Sequence, residues 1–123
     1  MSRAKIQDLT VAELVDRFVV LGVGQFEAEL HGNIAKENRL LLQMRDVTEE
    51  LRSRRGDQRS ALVQLLNHPN VQVRLMAAKL TLAVAPEAAR RALQDIQDSK
   101  QYPQAMDAGM SLWNLEQGIF KPT

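Results

Sequence analysis

Leu62–Ile96 reads LVQLLNHPNVQVRLMAAKLTLAVAPEAARRALQDI, and this stretch decides the fold. Leu62, Leu65 and Leu66 belong to a short helix that His68-Pro69-Asn70 brings to a tight turn. Asn70 fits an N-cap, since its side-chain oxygen can accept a free amide of the next helix. Val71–Val84 is apolar on nearly every face, with Arg74 and Lys79 as its only charges. A helix of that kind is buried between others, which places it at the centre of the domain. Pro86 suits the first turn of a further helix, with Ala88, Ala89, Ala92, Leu93 and Ile96 facing inward. Helix, turn, buried helix, break and amphipathic helix make the pattern of stacked helical hairpins.

Outward from this stretch the same punctuation recurs. Thr10 and Glu13 form a capping-box pair, and Val11, Leu14, Val15, Phe18 and Val19 follow at helical spacing. The first helix is predicted over 11–30, with a bend near Gly22 or close packing of Gly22 and Gly24 against a neighbour. Gly32 fits a left-handed stop and Asn33 a new start. The second helix, predicted over 34–55, carries the seam Leu40, Met44, Val47 and Leu51, widened by Leu41. Gly56-Asp57 opens a third helix over 58–67, with Ala61, Leu62, Leu65 and Leu66 inward. After the fourth and fifth comes a sixth, opened by Pro103 and stopped by Gly118. It bears two stripes: Ala108, Leu112 and Leu115, and Met106, Met110 and Trp113. The second stripe is expected to pack as a terminal cap; its alternative is an exposed edge. The fold class is therefore all-α, about six helices in three antiparallel hairpins stacked as a short α-α superhelix. Residues 1–123 are expected to form one domain, with 1–9 a flexible N-terminus and 120–123 a tail. A shift of 31 residues places Ala61-Leu62 on Ala92-Leu93, Leu65 on Ile96 and Ala77 on Ala108, in keeping with stacked units.

Composition narrows the function classes. The 123 residues are 45% hydrophobic and 25% charged, with 16 basic against 15 acidic side chains and a net charge of +1. That balance weighs against a general nucleic-acid binder, as does an aromatic content of 4%. The absence of cysteine removes disulfides, thiolate metal sites and a cysteine nucleophile. MSRAKIQDLT lacks the apolar core of a secretory signal, and no apolar run reaches the roughly 20 residues of a membrane span. The chain is expected to be cytoplasmic, without membrane contact.

No catalytic constellation emerges. His31 and His68 have no ligand spacing around them, and His31 at a helix end complements the dipole. Asp95 and Asp98 could share a cation but read more simply as a solvated face. Ser53, Ser60, Ser99 and Ser111 lie in no GxSxG turn, and no phosphate-cradling glycine motif is present. A non-enzyme without cofactor or metal is the expectation. Arg52, Arg54, Arg55 and Arg59 form a candidate anion patch, although cations in the last turn of a helix also serve its free carbonyls. Arg74 is expected to be structural, paired with a backbone group, Asp57 or Asp107. Its loss from a buried pair would cost about 3 kcal/mol.

Val73-Arg74 followed by Ala77-Ala78 after a Pro-Asn turn resembles the second helix of a HEAT-type repeat, diverged at Leu80-Thr81-Leu82. LVDRFVVLGVGQ (14–25), NRLLLQMRDVTEELRSRRGDQRSAL (38–62), HPNVQVRLMAAKLTLAVAPEAARRAL (68–93) and PQAMDAGMSLWNLEQG (103–118) together resemble the bacterial "domain of unknown function 2019" family. That resemblance implies a small HEAT/armadillo-like helical protein and transfers no catalytic residue. The function expected is a protein–protein interaction module. The alternatives are an immunity protein against a bacterial toxin and a nucleic-acid-binding helical repeat. In stacked hairpins the second, fourth and sixth helices line the inner surface, which nominates Arg45, Glu49, Arg52, Lys79, Asp107 and Asn114 for partner binding. The partner is another protein, or a second copy in a homodimer.

Overall fold

Thr10 opens the first helix by the reciprocal bonding its sequence predicts. Its Oγ1 accepts from the Glu13 amide at 3.1 Å, and the Glu13 carboxylate accepts from the Thr10 amide at 2.9 Å. A computed structural model describes residues 5–123. The chain falls into two compact units, Met1–Ala61 and Leu62–Thr123. Every regular element among the described residues is helical.

In the first unit, α1 (Val11–Leu30) runs unbroken through both glycines and buries Leu14, Val15, Phe18 and Leu21. A Cβ on Gly24 would lie 3.1 Å from Leu40 Cδ1, so close packing, not a bend, accounts for that glycine. Gly32 takes a φ of 65°, the left-handed stop. Asn33 then caps α2 (Ile34–Ser53) by accepting the Lys36 amide at 3.1 Å. The two helices pack as a hairpin, with Met44, Val47 and Leu51 of the predicted seam fully buried and Leu40 and Leu41 half-buried. α2 ends two residues short of the expected Arg55, because Arg54 is extended. Its guanidinium bonds Glu50 and the carbonyls of Ile6 and Gln7. Those carbonyls belong to a 3-10 turn, Ile6–Asp8, followed by buried Leu9. Residues 5–9, expected as loose, therefore carry a local turn; the remainder of that expectation, residues 1–4, lies outside the described residues.

The predicted third helix spans 58–67 as expected but is a 3-10 helix, Gln58–Asn67. Its buried positions are Arg59, Leu62 and Leu65, three residues apart, which suits a helix of three residues per turn. In the second unit Asn70 caps α3 (Val71–Leu80), accepting the Gln72 and Val73 amides at 2.9 and 3.2 Å. α3 stops four residues before the expected Val84. Thr81, fully buried, donates to the Ala77 carbonyl at 2.7 Å, while the Val84 and Ala85 amides both turn back to the Thr81 carbonyl. Pro86 occupies the first turn of α4 (Pro86–Ser99), whose Ala89, Ala92, Leu93 and Ile96 are buried. Pro103 sits at the N-cap of α5 (Gln104–Glu116), one position earlier than a first-turn proline. α4 and α5 pack as a hairpin, and α3 lies against both. Five α-helices and the 3-10 helix Gln58–Asn67 account for the six expected segments.

Candidate functional site

The arginine cluster at the end of α2 is largely neutralised by its own neighbours. Arg52 lies 3.7 Å from Glu49, Arg54 lies 2.9 Å from Glu50, and Arg59 lies 2.6 Å from Asp57. The hydrogen bond from Arg59 holds the Asp57 carboxyl below its usual range. Arg55 is exposed and is the one of the four without an acidic partner among the described residues. One free cation does not make the multi-phosphate contact that drives nucleic-acid affinity.

Arg74 has the backbone partners foreseen as one option, not Asp57 or Asp107. Its Nη1 donates to the carbonyls of His68 and Pro69 at 2.8 and 3.0 Å, and Nη2 to Gln101 at 3.4 Å. It thereby ties down the turn that precedes its own helix. Beside it, Leu66, Asn67, Ala92, Asp95 and Ile96 complete an open depression of about 240 Å³. Small-molecule sites span about 300–1,000 Å³ and enclose most of the ligand, so this depression is a poor candidate for one.

The remaining chemical candidates have local roles. His31 Nδ1 lies 2.8 Å from the Glu27 carbonyl at the end of α1. His68 Nδ1 accepts the Asn70 amide at 3.0 Å. Ser53 and Ser99 donate to carbonyls one turn back, and Ser111 to the Asp107 carboxylate. Ser60 is exposed, as are Asp95 and Asp98, the latter accepting from Gln94 at 3.0 Å. Among the described residues no group of three His, Cys, Asp or Glu side chains could hold a metal ion.

The six nominated contact residues divide between the units. Arg45, Glu49 and Arg52, spaced four and three along α2, are exposed on one face. In the second unit Lys79 binds Asp107 at 3.0 Å, joining α3 to α5, so each is the other's partner. Asn114 is half-buried, and its carbonyl accepts the Ile119 and Phe120 amides.

The most distinctive surface is one that the sequence reading placed inside. Met106, Met110 and Trp113 are 65%, 57% and 51% exposed, forming a ridge along α5. Their expected burial as a terminal cap is corrected by which side of α5 packs. Gln104, Ala105 and Ala108 are buried, with Leu112 and Leu115 half-buried. Small residues allow helices to approach closely, so the alanine side is the one buried and the bulky side turns outward. The small-versus-large contrast between the two stripes was the available signal. Exposed Tyr102 stands just before the ridge, and exposed Ile119 and Phe120 fold back on the last turn of α5.

A family model, the domain of unknown function DUF2019, matches residues 12–116. The chain belongs to the DUF2019 family. The match runs from the second residue of α1 to the last of α5, and so includes the ridge but not Ile119 or Phe120. A solved structure, the Rhodopseudomonas palustris CGA009 protein RPA1889, is 48% identical and superposes with a TM-score of 0.95. The similarity covers 98% of this chain and 100% of that one. No curated protein matches. The DUF2019 assignment thus accompanies an all-helical fold and names no reaction. No helix among the described residues is long and apolar enough to cross a membrane.

Proposed function

We propose that this DUF2019 chain is a non-enzymatic, HEAT-like protein-binding module of the cytoplasm, whose contact surface is the outer side of α5. The observation that carries this reading is the exposure of Met106, Met110 and Trp113 in one line. Met and Trp are enriched at interface cores, and Trp is among the residues that dominate binding energy. Covering each of these half-exposed side chains is worth about 1–2 kcal/mol, half to two-thirds of what burying a whole large apolar side chain contributes. The paired arginines and the shallow Arg74 depression offer no comparable driving force.

Capture from nuclease-treated native lysate tests the reading. The wild-type bait is compared with a Met110→Glu/Trp113→Ser variant and with an Arg45→Glu/Arg52→Glu variant. A stoichiometric protein lost with the first variant and kept with the second supports the α5 surface. Loss with the arginine variant alone moves the contact to α2. Capture that occurs only before nuclease treatment refutes the protein-binding reading.

A further inference from the structure

We infer that the ridge on α5 is covered by the same ridge of a second copy, the two helices running antiparallel about a two-fold axis at Met110. The inference rests on the protein-binding reading above and names its partner. In an isologous interface the same patch serves both subunits, so it must not repel itself. α5 satisfies this condition. Its only charged residues are Asp107 and Glu116, and Asp107 is already bound to Lys79 at 3.0 Å. A partner of different sequence is commonly selected by complementary charge, and the ridge residues carry none.

The spacing is also self-complementary. Met106 stands four residues before Met110 and Trp113 three after it. Antiparallel pairing centred on Met110 brings Met110 against the partner's Met110 and each Met106 against the partner's Trp113. Sulfur–aromatic contacts of this kind are favourable, and methionine adapts its shape to fill the seam. Antiparallel packing also sets opposite ends of the two helix dipoles side by side.

The area is of the right order. Half to two-thirds exposure of side chains this large leaves roughly 100–150 Å² each. The three ridge residues thus present about 350–400 Å², and exposed Tyr102, Ile119 and Phe120, just before and just after α5, bring the apolar total to about 700 Å², against the ~800 Å² per partner of a standard interface.

The test is sedimentation equilibrium of the purified full chain, wild type, Met110→Glu and Met110→Lys, with circular dichroism confirming that both variants are folded. The wild type is expected to dimerise. Each variant alone, placing like charges across the axis, should associate at least about 10-fold more weakly. An equimolar mixture of the two should recover the dimer, because Glu then faces Lys. A wild type that stays monomeric up to about 1 mM overturns the inference. In that case a different protein captured through the same ridge would leave the binding-module reading intact. A dimer insensitive to both variants, or a mixture that fails to recover, equally overturns the two-fold pairing at Met110.

Discussion

Replacing Asn70 by alanine should weaken the second unit by about 1.5 kcal/mol, in the upper part of the range for an N-cap. α3 has only ten residues, and its first-turn amides have no partners within the helix. One Asn70 oxygen accepts two of them, from Gln72 at 2.9 Å and Val73 at 3.2 Å. Val71 and Val73 are buried, so water replaces that oxygen poorly. Glycine at the same position should cost only a few tenths of a kcal/mol, because it opens the amides to solvent, and serine should stay near wild type by keeping an acceptor. Urea unfolding followed by tryptophan emission is the direct assay. Trp113 is the only tryptophan and lies in the same unit as Asn70. The alanine variant should also melt about 6 °C lower. An alanine variant indistinguishable from wild type, or a glycine variant as damaged as the alanine one, would refute the capping account of α3.

Arg74→Met should cost about 1 kcal/mol, not the roughly 3 kcal/mol of a broken buried ion pair, because the groups it leaves are turn carbonyls; denaturant titration separates the two values. Gly109→Ala should stabilise α5 by about 0.5–1 kcal/mol through helix propensity. The atom a new Cβ would meet, Gln97 Nε2 at 2.9 Å, ends a flexible, exposed side chain, so a lowered melting temperature would contradict this. Asp57 has a lowered carboxyl pKa in the folded chain, chiefly through its hydrogen bond from Arg59. Its stabilising contribution is therefore complete above the unfolded value of about 3.9 and is lost as pH falls through the folded one. Asp57→Asn, which tolerates the left-handed φ of 51°, should lie below wild type in melting temperature at neutral pH and converge on it in acid. A gap that is the same at both pH values would sink this linkage.

Helix starts and stops were legible because they are written in single residues. Thr10, Asn33 and Asn70 each carry an acceptor one turn ahead of a free amide, and Gly32 and Gly118 supply the positive φ of a stop. The interior was legible for a similar reason. Phe18 on α1, Met44, Val47 and Leu51 on α2, Leu62 on the 3-10 helix and Leu93 on α4 each lie on the apolar face that their helix's spacing marks, and all are fully buried. Where two faces were both apolar, as on α5, periodicity could not rank them. Partners of charged groups were equally hidden. Arg74 bonds a turn five and six residues back, whereas Lys79 reaches Asp107 across 28 positions.

Sequence by itself determined the helical class, the caps, the hairpin of α1 with α2 and the family, since these depend on local geometry and on patterns repeated within a turn or two. Tertiary structure alone decided that Gln58–Asn67 is a 3-10 helix, that Thr81 ends α3, and that the Met106–Met110–Trp113 ridge faces solvent. The exposure of the ridge turns on which of two acceptable faces of α5 packs against its neighbours. On α5 the alanines win that competition because they let two helices approach, and the largest side chains are left outside.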